Sequence, residues 1–166
     1  MDKIIVLDFG SQYNQLIARR VRELGVYSEI LPFNTNIEIL KDDSIKGIIL
    51  SGGPNSVYDE FAPHIDKELY NIGVPILGIC YGMQITQYLF GGKVSPSDKR
   101  EYGKSELTII KDSVITKGLP QTSTVWMSHG DHVDKLSDDF SLLATTPSCM
   151  AIAKHKELDI YNLQFH

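Results

Sequence analysis

Cysteine is scarce in this chain: Cys80 and Cys149 are the only two among 166 residues, and their sequence settings differ. Two unmatched thiols exclude a disulfide framework and fit a reducing compartment, the cytoplasm. Long apolar runs are missing as well. No stretch approaches the roughly 18 apolar residues a membrane span needs. The opening MDKIIVLDFG is too short an apolar run for a signal peptide. Clustered positive charge is absent too. The formal net charge is −5, and Arg19, Arg20 and Arg22 are interrupted by Val21 and followed by Glu23, as on the solvated face of a helix. General phosphate-backbone binding is thereby disfavoured, so neither nucleic acid nor membrane is an expected partner. Linkers, internal repeats and low-complexity segments are lacking. At 42% hydrophobic and 22% charged residues, the composition is that of one soluble globular domain spanning residues 1–166.

What is present is an alternation of strand-like and helix-like segments. Residues 3–8 (KIIVLD) form a continuous apolar run ending in an acid, as in a strand buried on both faces of a parallel sheet. Residues 12–24 predict a helix with Leu16, Ile17, Val21 and Leu24 inward and Gly25 at its C-terminal cap. Strands follow at 28–31, 47–50 and 74–79, with helices at 36–40, 64–71 and 82–90. This rhythm implies right-handed crossovers in an open parallel sheet. The second half reads differently, as strands at 107–110, 124–127, 141–145, 151–154 and 160–164 that extend the sheet, partly antiparallel.

Gly78-Ile79-Cys80-Tyr81-Gly82 is a G-x-C-x-G sequence between a buried strand and a helix, the cysteine version of a nucleophile elbow. A side chain on such a bend is pushed out above the sheet, and the flanking glycines keep it unobstructed. The helix N-terminus beneath offers free N–H groups and a positive dipole end, which favours thiolate over thiol. Cysteine after Val, Ile and Leu is ordinarily a small buried hydrophobe. The glycines and the strand-to-helix position reverse that reading for Cys80. Cys149, in a loop before a strand, is assigned no role.

A thiol nucleophile needs a proton shuttle, normally histidine. Chemistry in an open sheet gathers at the carboxyl ends of strands. His166 directly follows the last strand, and His129 in Ser128-His129-Gly130-Asp131 also follows one. The strand pattern favours His166 and leaves His129 as the alternative; His64 and His155 read as surface residues. His129 and His132 with Asp131 and Asp134 are weak evidence for a metal, so none is expected. Ser51-Gly52-Gly53-Pro54 leaves backbone N–H groups free after a strand. The N–H of Gly53, with that of Tyr81, is the expected receiver of an oxyanion. The same loop resembles an SGGxDS phosphate loop only superficially, because Pro54 removes an N–H and Asn55 stands where an acid is needed.

Together, Leu7-Asp8-Phe9-Gly10-Ser11-Gln12-Tyr13, Ser51-Gly52-Gly53-Pro54, Gly78-Ile79-Cys80-Tyr81-Gly82-Met83-Gln84, Trp126-Met127-Ser128-His129-Gly130-Asp131 and Gln164-Phe165-His166 resemble the class I, triad-type glutamine amidotransferase domain over nearly the whole chain. The LDFGSQY, CYGMQ and WMSHGD combination is narrower and is similar to the amidotransferase domains of GMP synthetases. The resemblance implies a flavodoxin-like α/β fold, Cys80 as nucleophile, and His166 as general base and acid. It also implies an oxyanion hole at Gly53 and Tyr81, and substrate contacts at Gln84, Ser128, Gly130 and Asp131. The implied reaction is hydrolysis of L-glutamine to glutamate and ammonia through a γ-glutamyl thioester. The implied ammonia acceptor is an ATP-pyrophosphatase synthetase, on the same polypeptide or a separate one, that converts XMP to GMP. ATP and magnesium belong to that module, so no cofactor is expected here. The family continues past its histidine with Pro-Glu, whose glutamate orients the imidazole; this sequence ends at His166, and the expectation is a domain trimmed just after its histidine, the alternative an impaired fragment.

Two other classes compete: another cysteine hydrolase on the same fold, a peptidase or glyoxalase-like protein, and a non-catalytic flavodoxin-like binding module. The amidotransferase of a different biosynthetic synthetase is a third option. The charged stretch Asp98-Lys99-Arg100-Glu101 with Gly103-Lys104 reads as a solvated hairpin, or else a pocket wall or docking face.

Overall fold

The computed structural model describes the backbone of residues 1–166 and the side chains of all but 97–101. The charged stretch from Asp98 therefore lies outside the described side chains.

The first half follows the expected alternation. Strand β1 (Lys3–Asp8), helix α1 (Asn14–Glu23), strand β2 (Tyr27–Pro32), helix α2 (Ile37–Leu40) and strand β3 (Ile45–Leu50) lead to a 3-10 turn at Lys67–Asn71. Strand β4 (Ile76–Ile79) and helix α3 (Tyr81–Leu89) close this half. Strands β5 (Lys93–Ile109), β6 (Thr122–Lys135), β7 (Phe140–Thr145), β8 (Met150–His155) and β9 (Ile160–Leu163) make up the second. All nine strands join one sheet in the order β2-β1-β3-β4-β9-β8-β7-β5-β6. The first five in that order are parallel, the flavodoxin-like arrangement, and the pairings from β9 to β6 are antiparallel.

Ile5, Val6 and Leu7 of β1 are fully enclosed, as a strand inside a covered parallel sheet must be. Ile5, Leu7, Ile48, Leu50, Ile76, Met83 and Ile85 pack into one core that joins β1, β3 and β4 to α3. A smaller core of Leu107, Ile109, Leu143, Ala144, Ala151 and Ile152 lies beneath the antiparallel half. Residues 81–87 of α3 are buried on every side, so this helix is locked between the sheet and its neighbours.

Four expectations are corrected. On α1 the buried residues are Asn14 and Ala18, with Ile17 and Val21 half-buried beside them, while Leu16 and Leu24 face solvent. The inward stripe thus starts two residues earlier than the leucines suggest. The helix expected at 64–71 begins only at Lys67, because the Asp66 carboxylate accepts the Glu68 N–H and sets the cap there. Ser128-His129-Gly130-Asp131 lies inside β6 rather than after a strand, since β6 continues to Lys135 in pairing with β5. His155 is buried, not superficial: Phe90 and Phe140 pack edge-on to its ring, and its Nδ1 accepts the N–H groups of Glu157 and Leu158.

Candidate active site

Strand register brings the motif segments together. Leu7 pairs with Leu50, Leu50 with Gly78, and Ile79 with Leu163, so β1, β3, β4 and β9 end at one edge of the sheet. The chain leaves that edge through Phe9-Gly10, Ser51-Gly52-Gly53-Pro54, Cys80 and Gln164-Phe165-His166. A cleft of about 580 Å³ opens above it, and Ser128, His129, Gly130 and Asp131 of β6 form the far wall. Cys80, His166, Gly53 and Gln84 all line this cleft.

Cys80 sits at φ 56° and ψ −107°, the one non-glycine with positive φ among the described residues. Such a conformation costs on the order of 1–3 kcal/mol and persists only where the surroundings enforce it. Here the Cys80 N–H donates to the Leu163 carbonyl (2.7 Å) and the Cys80 carbonyl accepts the Gln84 N–H (3.1 Å), so the bend is held by β9 on one side and α3 on the other. The flanking glycines are required by close approach. A Cβ on Gly78 would lie 2.6 Å from the Gly82 carbonyl oxygen, and one on Gly82 would lie 2.2 Å from that of Leu50.

The sulfur itself is almost enclosed. Its S–H points at the Ser128 carbonyl (3.8 Å), and Gln164 Nε2 donates to it from 3.6 Å. Burial pushes the Cys80 thiol up to about 11, against the opposing pull of the Tyr81 N–H and the Gln164 amide. The helix N-terminus alone would favour thiolate, as the sequence leads one to expect. Desolvation of the sulfur works against it and favours the neutral thiol.

His166 lies across the glycine loop from Cys80. A Cβ on Gly52 would be 3.4 Å from His166 Cε1 and 3.5 Å from Cys80 Cβ, so the two side chains stand on either side of the space above Gly52. The His166 N–H donates to the Trp126 carbonyl (3.2 Å), and the Tyr13 ring lies 5.0 Å from the imidazole. Burial, and secondarily the nearby His129, hold the His166 imidazolium below the usual histidine range. Burial thus works against the charged form of both groups. His129 is buried in the far wall with Nδ1 against the Asp131 carbonyl (2.8 Å).

Gly53 lines the cleft, and its N–H has no hydrogen-bond partner among the described residues. A Cβ there would lie 2.3 Å from the Phe9 carbonyl oxygen, so the loop is pressed onto the end of β1. Ser51 fastens the same loop by donating its Oγ hydrogen to the Leu7 carbonyl (2.8 Å). Tyr81 offers its backbone only. Its ring packs beside Phe9 and its hydroxyl donates to the Pro63 carbonyl (2.9 Å), well away from the cleft. Gln84 turns its Nε2 to the Asp131 carbonyl (3.1 Å) and to Gln164 Oε1 (3.5 Å).

Gln164 and Gly52 carry no role in the sequence reading. Alternation along β9 and its extension places Asn162, Gln164 and His166 on one face, and that period is the available signal for Gln164. Gly52 is hidden in sequence by its neighbour, since either glycine of the loop could serve. Among the described residues no group of three or more His, Cys, Asp or Glu is arranged to hold a metal, and no helix is long and apolar enough to cross a membrane.

Comparison with known proteins agrees with this geometry. The family model for glutamine amidotransferase class-I matches residues 5–166. The chain is 53% identical to GMP synthase [glutamine-hydrolyzing] of Brachyspira hyodysenteriae and 52% identical to that of Fusobacterium nucleatum, over 100% and 98% of its length. It spans 32% of each of those relatives. Among solved structures, a candidate GMP synthase subunit from Thermoplasma acidophilum superposes with a TM-score of 0.83 at 37% identity, over 100% of this chain and 84% of that one. The chain belongs to the class I glutamine amidotransferases.

Proposed function

We propose that this domain hydrolyses L-glutamine, with Cys80 as nucleophile and His166 as base and acid, and hands the ammonia to a synthetase that makes GMP from XMP. The observation that carries the reading is the strained Cys80 bend on the cleft floor, facing His166 across Gly52. His166 takes the thiol proton as the sulfur attacks the side-chain amide carbon of glutamine. Negative charge then develops on the amide oxygen, where the N–H groups of Gly53 and Tyr81 receive it. The imidazolium returns its proton to the departing nitrogen, and ammonia leaves behind a γ-glutamyl thioester. Water, deprotonated by His166, attacks that thioester, releasing glutamate and regenerating the thiol. Gln84, Ser128, Gly130 and Asp131 line the far side, where the amino acid's polar end would lie.

The acceptor module is an ATP-dependent synthetase of the pyrophosphatase type, and ATP and magnesium act there. Relatives named GMP synthase, of which this chain spans 32%, support one continuous polypeptide, whereas the Thermoplasma protein supports separate chains. The test is Cys80→Ala in the intact protein together with its synthetase. Glutamine-dependent GMP formation should vanish while ammonium chloride restores it. Retained glutaminase turnover in the variant would end the proposal.

A further inference from the structure

We propose that Gln164 is a positioning residue for the nucleophile: its side-chain amide, oriented by Gln84, holds the Cys80 sulfur in place and steadies the thiolate as it forms. The inference rests on the reading of Cys80 as nucleophile. Its basis is a directional chain of three amides beneath the cleft.

Register fixes the first contact. Ile79 and Leu163 are partners in the parallel ladder, so the next residues, Cys80 and Gln164, leave the sheet side by side. Gln164 is fully buried, and a buried amide needs partners for both its ends. Its Nε2 reaches the Cys80 sulfur at 3.6 Å and its Oε1 faces Gln84 Nε2 at 3.5 Å.

The orientation of these amides is not arbitrary. Gln84 lies 3.1 Å from the Asp131 carbonyl, which can only accept, so Gln84 must turn its NH₂ that way. The same NH₂ confronts Gln164, which must therefore answer with its oxygen. Gln164 is left with its own NH₂ toward the sulfur. The carbonyl of Asp131 on β6 thus dictates, through two side chains, that a donor faces Cys80. A donor aimed at an acidic group favours its charged form.

The chemistry gives that donor a distinct task. In the resting site the Tyr81 N–H also favours the charged form of the sulfur. Once substrate oxygen occupies the oxyanion hole, the Tyr81 N–H serves that oxygen instead. Gln164 then remains as the side-chain donor to sulfur, both as the thiolate attacks and as it departs from the thioester. Its backbone N–H, bonded to the Ala151 carbonyl (2.9 Å), is untouched by side-chain substitution.

The test uses Gln164→Met and Gln164→Glu in the intact protein, with iodoacetamide labelling of Cys80 followed by mass spectrometry of its peptide and glutaminase kinetics in parallel. Methionine keeps the volume and loses the donor. At pH 8 labelling should slow about tenfold, the thiolate loss that one pKa unit produces, and kcat should fall comparably with KM for glutamine unchanged. Glutamate keeps the acceptor for Gln84 but sets a negative charge beside the sulfur, so labelling should slow further. Wild-type labelling rates in both variants, or a raised KM as the sole effect, would overturn the proposal. Gln164→Glu carries the same test should the methionine variant fail to fold. A wild-type protein whose labelling behaves as described but which lacks glutaminase activity would sink the functional reading alone.

Discussion

Gly82 and Leu50 meet with no room for a side chain between them: a Cβ on Gly82 would lie 2.2 Å from the Leu50 carbonyl oxygen. This contact seats the first turn of α3 on the end of β3 and so fixes the height of Cys80 above the sheet. Gly82→Ala must push the helix outward. Overpacking of this kind costs about 1–3 kcal/mol. A displacement of ~1 Å at the proposed nucleophile can cost about a hundredfold in turnover. Chemical denaturation and glutaminase kinetics on the variant should show both losses, whereas a helix merely resting on the sheet would lose only stability.

The conformation of Cys80 yields a prediction in which activity and stability part company. Cys80→Gly and Cys80→Ala both remove the sulfur, but only glycine adopts φ 56°, ψ −107° without strain. Both variants should be inactive with glutamine. Cys80→Gly should be the more stable of the two by about 1 kcal/mol, read from denaturation midpoints. Equal midpoints would mean the bend is not strained.

Gly53→Ala addresses the proposed oxyanion hole. The new methyl would collide with the Phe9 carbonyl, at 2.3 Å, and force the loop off β1. With the Gly53 N–H displaced, kcat should fall about 10²–10³-fold, the usual cost of one oxyanion donor. The KM for glutamine should change little, because that N–H is used most when charge develops. A rise in KM with kcat intact would instead assign the loop to ground-state binding.

Most of the parallel half is legible in the sequence because its strands are short apolar runs with turn residues between them, and the elbow follows from the glycine spacing and the strand-to-helix position. The strand ends that gather Cys80, Gly53 and His166 can be inferred from that rhythm. Residues 93–106 and 128–135 cannot, because long paired ribbons carry polar residues along one face and read as loops. His155 escapes for a related reason: its partners, Phe90 and Phe140, are distant in sequence and nothing local marks it as buried. The upward push on the Cys80 pKa is not legible in sequence, because the helix terminus is visible there whereas the enclosure of the sulfur by the Ser128 carbonyl of β6 and Gln164 after β9 is not.

As the proposed general base, His166 should set the acid side of the activity profile. Burial, then His129, lowers its pKa from the ordinary 6.5, so the base form survives to more acidic pH than a free imidazole would. The acid limb of kcat/KM should have its midpoint below 6.5, since that parameter reports the free enzyme. A midpoint at or above that ordinary value would mean another group limits the rate.

Cys80 gives the opposite sign on the alkaline side. Its folded value of about 11 exceeds the ordinary 9.0, with burial as the cause. Below pH 9 both folded and unfolded chains keep the proton, and the group costs nothing. Between about 9 and 11 the unfolded chain releases it first, so stability falls with rising pH until the folded thiol also ionises. The full loss is on the order of 2–3 kcal/mol, at about 1.4 kcal/mol per unit. Thermal melts at pH 7 and pH 10 should therefore show a smaller alkaline drop in Cys80→Ala than in the wild type. Tyr70 and Tyr81, also raised by burial, contribute to the drop equally in both proteins, so the difference isolates the sulfur. Parallel drops in the two would mean that the thiol is already ionised or well solvated at rest. The starting point of the mechanism would then be a thiolate rather than a neutral pair.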